Sequence, residues 1–128
     1  MYQCRTPPLK AAKRGRIVTK AHAFIREWRT ESPGSRPYVR VKFLGRGKQR
    51  VFIDTFQKHI EEKTDREMMR RYPLLPCVKE LLTKTTDAPT RTKDGNLMLE
   101  GMTPDGMTFK TILRLGKRGL CLWSFYPD

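Results

Sequence analysis

Apolar residues recur at helical or at strand spacing along most of the chain, and these two spacings predict its elements. Over residues 18–29 they lie three or four positions apart, which predicts an amphipathic helix whose aromatic residues pack on a core. Over residues 38–43 they alternate with Arg and Lys, and a glycine-containing turn leads into residues 50–53. These last two segments predict a β-hairpin with a basic tip.

Two further helices and a run of strands follow the hairpin. Asp54 or Thr55 caps a helix that runs to residue 71, and a second short helix covers residues 76–83. Beyond them we expect a weak strand and three clearer ones, over residues 88–92, 97–102, 108–115 and 120–126. This order predicts an α+β fold, with N-terminal helices packed on one face of a meandering antiparallel sheet of about four strands.

The chain is strongly basic, and the excess charge lies in its first part. Its 128 residues contain 27 Lys and Arg against 13 Asp and Glu, a net charge of +14 at pH 7. Residues 1–50 hold 14 of the basic residues and 2 of the acidic ones. Clustered positive charge attracts polyanions, so we expect RNA as the partner, with DNA as the alternative. No long apolar stretch or lipidation motif indicates membrane binding.

Two regions are predicted to differ in kind. Residues 1–48 form a basic N-terminal extension that consists of an irregular tail over residues 1–16, the first helix and the first strand of the hairpin. Residues 49–128 form a more ordinary domain. The three cysteines form no CxxC pair, so we expect no disulfide framework, no zinc site and no cofactor. We recognise no signal peptide, and therefore expect a cytoplasmic protein.

One helix face carries the best candidate chemistry. Cations follow His59 in the predicted helix at spacings of four, three and four, and therefore share its face: Lys63, Arg66 and Arg70. Neighbouring cations lower the pKa of an imidazole, which favours a neutral base. RNA cleavage without a metal needs a base for the 2′-hydroxyl, an acid for the leaving oxygen and cations for the phosphoryl oxygens.

Other basic and hydroxyl side chains add to the candidate site. On the predicted strands Lys110 and Arg114 share one face, and Ser124 lies on the last strand. The Gly-Arg-Gly-Lys turn of the hairpin is suited to binding phosphate through backbone N–H groups, although it lacks the spacing of a P-loop. The candidate nucleic-acid-binding residues are Arg46, Lys48, Arg50, Arg66 and Arg114.

Two other interpretations remain open. Acidic residues alternate with the cations after His59, so the same helix face is also typical of a solvated, salt-bridged surface. The chain would then be a non-catalytic nucleic-acid-binding protein that uses the Lys and Arg of residues 10–50 for phosphate contacts. In the other alternative it is an interaction module whose basic region docks on an acidic protein.

The stretch over residues 50–63, Arg-Val-Phe-Ile-Asp-Thr-Phe-Gln-Lys-His-Ile-Glu-Glu-Lys, resembles the opening of nuclease domains from phages and mobile elements. These domains belong to the barnase, EndoU, colicin and RelE-like superfamily. The layout is also similar, because helices precede a meander of strands that ends in a Ser or Thr among aromatic residues, here Trp123-Ser124-Phe125-Tyr126-Pro127. The resemblance covers residues 49–128.

The resemblance implies a metal-independent endoribonuclease that cleaves RNA by attack of the 2′-hydroxyl on phosphate, of the kind used as a toxin or in conflict between mobile elements. It implies that His59 is the motif histidine and acts as general base or acid, with Lys63 one turn later. Ser124 matches the hydroxyl of the last strand, and Lys110 matches a polar position of variable type. We therefore expect these four residues to be catalytic, with no metal ligand. A toxin role further implies an acidic antitoxin or immunity protein as partner.

Overall fold

The computed structural model describes residues 1–45 and 49–128, in which four α-helices and seven β-strands form an α+β fold. The helices are α1 (Arg14–Arg29), α2 (Phe56–Glu61), α3 (Asp65–Arg71) and α4 (Leu75–Lys84), with a 3-10 turn (Tyr72–Leu74) between the last two. The strands are β1 (Tyr2–Gln3), β2 (Tyr38–Val41), β3 (Gln49–Phe52), β4 (Thr90–Arg91), β5 (Leu97–Met102), β6 (Thr108–Gly116) and β7 (Gly119–Pro127). The predicted first helix, hairpin strands, last helix and final three strands are thus confirmed, with shifted ends.

The strands pair into one mixed sheet. Its order is β1-β5-β6-β7-β3-β2, and β4 pairs with β5 beside β1. β1 lies parallel to β5 and β3 lies parallel to β7, whereas the other pairs are antiparallel. The prediction of about four antiparallel strands is therefore wrong in number and direction. The parallel pairings are too short to leave a periodic signal, since β3 meets β7 at one position, Phe52 opposite Cys121.

The helix predicted to run from Asp54 or Thr55 to residue 71 is divided into two. α2 ends at Glu61, and Thr64 adopts extended backbone angles (φ −62°, ψ 158°) before α3 begins. The Thr64 hydroxyl accepts a hydrogen bond from the Glu67 backbone N–H at 3.3 Å and so caps α3. A threonine side chain that bonds its neighbouring backbone competes with the helical pattern, which explains a new helix start at this residue.

The N-terminal residues are packed into the fold, and the prediction of an irregular tail over residues 1–16 is wrong at both ends, where residues 2–3 form β1 and residues 14–16 begin α1. β1 pairs with β5, and the side chain of Cys4 is 2% exposed. The Glu80 carboxylate accepts hydrogen bonds from the backbone N–H groups of Arg5 and Thr6 at 2.8–3.1 Å. The described part of residues 1–48 shares one sheet and one core with residues 49–128.

The core lies between the helices and one face of the sheet. Aromatic rings connect the two layers: Trp28 of α1 lies 6.1 Å from Phe56, which lies 5.9 Å from Phe125 of β7 (centroid distances). Along β6, Phe109 and Leu113 are buried on this side. The opposite side, which carries Lys110 and Arg114 of β6 and their neighbours across the sheet, is called the outer face below. No helix in the described residues is long and apolar enough to cross a membrane.

Candidate functional site

An irregularity in β7 creates the local geometry of the site. Ile112 of β6 lies opposite Ser124 and Leu113 lies opposite Leu122, so Trp123 is an extra, unpaired residue of a β-bulge. At this point β7 is no longer paired with β3, because β3 ends at Phe52 and the following residues lead to α2. The helical residues around His59 therefore lie against the end of β7.

The imidazole of His59 stacks on the indole of Trp123. Their ring centroids are 4.1 Å apart and the ring planes differ by 25°. The guanidinium carbon of Arg114 lies 4.6 Å from the centroid of the same indole, a distance at which a cation is attracted to the ring. Trp123 thus fixes the orientation of the imidazole and brings a cation from β6 beside it.

The surroundings of His59 favour its neutral form. Partial burial is the main cause that lowers the pKa of the imidazole, and the positive charge of Lys63 lowers it further. The negative charge of Glu62 opposes them, while Arg71 and Arg114 add smaller lowering effects. At neutral pH this histidine therefore has an unprotonated ring nitrogen that can accept a proton.

Arg71 connects the helices to the same end of β7. Its Nε donates to a carboxylate oxygen of Glu67 at 3.0 Å, and its Nη1 donates to the Ser124 hydroxyl at 2.8 Å. The guanidinium carbon also lies 5.4 Å from the ring of Tyr126. Ser124 is buried, so its hydroxyl holds Arg71 in place and is itself poorly accessible to a large ligand. Arg71 is thereby fixed in a site that also contains His59.

Lys110 lies further along the outer face. It is paired with Tyr126 across the β6–β7 ladder, two positions from the pair of Ile112 and Ser124. This spacing corresponds to about 7 Å along the strand. Its Nζ lies 3.5 Å from a carboxylate oxygen of Asp128, and about a third of the side chain is exposed. Lys110 is thus close to the site without being buried in it.

We call His59, Lys63, Arg71, Arg114, Trp123, Ser124 and Tyr126 the His59 cluster. The structure brings four predicted site residues into it, namely His59, Lys63, Arg114 and Ser124, with Lys110 at its margin. The prediction that Lys63, Arg66 and Arg70 share one helix face with His59 is wrong, because His59 lies on α2, Lys63 lies between the two helices, and both arginines lie on α3.

Other predicted nucleic-acid-binding residues lie elsewhere. Arg66 is exposed on α3, where no contact among the described residues ties it to the cluster. Arg50 lies on β3, with its guanidinium carbon 5.1 Å from the ring of Tyr38 and 5.5 Å from that of Phe52. Arg46 and Lys48 lie outside the described residues.

Three residues of the cluster were not predicted as site residues: Arg71, Trp123 and Tyr126. Arg71 lies at the end of the predicted helix, and its contact with Ser124 depends on the path of the chain after Thr64. The aromatic residues around Ser124 were the available signal, but the bulge that turns Trp123 towards His59 has no sequence signature.

No group of three His, Cys, Asp or Glu side chains converges as metal ligands within residues 1–45 and 49–128. Comparisons of the chain with protein-family models, with curated proteins and with solved structures find no match.

Proposed function

We propose that the chain is an endoribonuclease that cleaves RNA at the His59 cluster without requiring a metal ion. The observation that carries this proposal is a half-buried imidazole of lowered pKa, fixed by Trp123 and surrounded by Lys63, Arg71 and Arg114. A neutral base among fixed cations is the combination that intramolecular phosphate transfer requires. The proposal agrees with the nuclease resemblance over residues 49–128, which rests on the sequence pattern alone.

In the proposed reaction His59 removes the proton from a ribose 2′-hydroxyl. The freed oxygen attacks the adjacent phosphorus, an O2′–P bond forms, and the P–O5′ bond breaks. Negative charge on the phosphoryl oxygens is stabilised by Arg71 and Arg114, which are already oriented before substrate binds. The products are a 2′,3′-cyclic phosphate and a 5′-hydroxyl end.

The remaining residues have narrower roles. The Tyr126 hydroxyl donates the proton that the leaving O5′ needs, and it recovers that proton from protonated His59 through solvent. Lys110, its neighbour across the ladder, supplies further positive charge to the phosphate. Ser124 is a positioning residue, because it acts through its hydrogen bond with Arg71.

The two histidines of the chain provide a matched test. His59→Ala removes the proposed base, whereas His22→Ala removes an imidazole whose partner at 2.8 Å is Glu61, a residue that is not part of the cluster. We expect wild type and His22→Ala to cleave single-stranded RNA in excess EDTA. We expect His59→Ala to lose at least about a hundredfold in rate, the usual contribution of general base catalysis. Equal rates for the two folded variants would contradict the proposal, as would cleavage that EDTA abolishes.

A non-catalytic RNA-binding protein is the second candidate. It is favoured by a row of aromatic and arginine side chains on the outer face of the β2–β3 hairpin. Arg40 and Arg50 lie with their guanidinium carbons 5.6 Å and 5.1 Å from the ring of Tyr38, an arrangement suited to unpaired bases and phosphates. Salt-sensitive RNA binding without cleavage by wild type would favour this candidate.

A further inference from the structure

A separate cleft lies beside the β6–β7 turn. It is lined by Gln49, Arg50 and Phe52 of β3, by Gly119 and Leu120 of β7, and by residues of β4, β5 and β6. Its volume is about 570 Å³. This lies within the range of pockets that hold a small organic ligand.

The wall of the cleft is cationic. Arg50 of β3, Arg91 of β4 and Arg118 of the β6–β7 turn all line it, and no Asp or Glu is among the described lining residues. None of the three guanidinium groups forms an ion pair within the described residues, in contrast to Arg36, which is bound to Asp54 at 2.6 Å. Arginine side chains in this state are available to phosphate oxygens.

Apolar side chains line much of the rest of the cleft. Leu97, Leu115 and Leu120 line it together with the ring of Phe52, and the side chain of Leu115 is 73% exposed. Contact of an exposed leucine side chain with water is energetically unfavourable, and here that side chain lies in a cleft lined by arginines. A planar base covers such a surface while its phosphate contacts the guanidinium groups.

We propose that this cleft binds one nucleotide unit of the RNA, on one side of the bond that the His59 cluster cleaves. The proposal rests on the function proposed above and deepens it. Phe52 lies beside Cys121, which lies opposite Arg114 of the cluster. Two strand spacings, about 10 Å, therefore separate the edge of the cleft from Arg114. One single-stranded RNA segment would contact both places.

The test compares two double variants that lose the same charge. Arg91→Ala/Arg118→Ala removes two guanidinium groups from the wall of the cleft. Arg16→Ala/Arg26→Ala removes two exposed arginines of α1, a helix that does not line the cleft. Each is made in a His59→Ala background, and the Kd for a single-stranded RNA oligonucleotide is measured by fluorescence anisotropy. We expect the cleft variant to bind about tenfold more weakly than its parent, and the α1 control to change by about twofold or less.

A second measurement separates nucleotide binding from attraction to phosphate. Adenosine 5′-monophosphate should shift the NMR signals of Gly95 and Gly119 in the cleft, and Leu115→Ser should weaken this binding while inorganic phosphate binds unchanged. Equal losses for the two double variants, or no shift at these glycines, would overturn the cleft proposal even if RNA is cleaved. If the cleft binds the nucleotide but the protein cleaves no RNA, the cleft proposal stands and the proposed nuclease activity is wrong.

Discussion

At the scale of single residues, the proposed chemistry depends on the charge state of His59. Burial and three cations depress the pKa of its imidazole, while Glu62 opposes them. Lys63 and Glu62 both lie within four residues of His59 and both act on its pKa through their charge. Substitution of one residue at a time therefore separates their effects. Each of these neighbours should therefore shift the pKa of His59 in a defined direction.

Two substitutions should move the pKa of His59 in opposite directions. Lys63→Met removes a positive charge and should raise the pKa towards its ordinary value of 6.5, whereas Glu62→Gln removes a negative charge and should lower it. The measurement is an NMR titration of the imidazole Cε1–H signal in each variant. If His59 is the base, the acidic limb of the pH profile of kcat/KM moves with it. Shifts of the same sign in both variants would contradict the electrostatic assignment.

The residue types of the site were partly visible in the sequence. A histidine followed four positions later by lysine, and two cations alternating along a strand, predicted His59, Lys63, Lys110 and Arg114 as candidates. Arg71 was missed because its importance comes from Ser124, a residue 53 positions away that it reaches across the fold. Long-range contacts of this kind leave no local spacing to detect.

At the scale of elements, the break between α2 and α3 sets the site. α2 presents His59 to Trp123, and α3 directs Arg71 to Ser124. A single straight helix would have placed these residues by helical spacing alone. The sequence predicted the helical content here correctly but not the break, because Thr64 is exposed and no Gly or Pro beside it marks the end of a helix.

The cap at Thr64 should be measurable against a matched threonine. Thr64→Ala removes the hydroxyl that accepts from Glu67 N–H, and should lower the free energy of unfolding by about 1 kcal/mol. Thr55 is also exposed and precedes α2, but its side chain makes no capping bond. Thr55→Ala should therefore change the free energy of unfolding by less than about 0.5 kcal/mol. Urea denaturation of both variants decides the matter, and equal losses would argue against Thr64 as the start of α3.

The β-sheet shows a similar division between local and distant signals. The strands over residues 97–102 and 108–115 alternate cleanly and were predicted closely. β1 has two residues and is recognisable only from its pairing with Gly101 and Met102. The bulge at Trp123 likewise arises from the mismatch between β6 and β7. The spacing of apolar residues within one segment does not show which strand pairs with it.

At the scale of the whole molecule, the basic N-terminal region belongs to the same folded body as the site. Arg40 and Arg50 line the outer face of the hairpin. Across the sheet, Phe52 of β3 is paired with Cys121 of β7, which is paired with Arg114 of β6. In a chain with a net charge of +14, the strand register thus places Phe52, at the edge of the cleft, two strands away from Arg114 of the His59 cluster. A polyanion attracted by the charge would meet the site on the outer face.

The central claim is that a ribose 2′-hydroxyl is the attacking group, activated at the His59 cluster. The most direct measurement offers the protein an RNA oligonucleotide and its fully 2′-O-methylated counterpart in excess EDTA, with analysis of the product ends. The account predicts that only the unmodified RNA is cleaved and that its products end in 2′,3′-cyclic phosphate and 5′-hydroxyl. Cleavage of the methylated strand, products with other ends, or an intact RNA would contradict it.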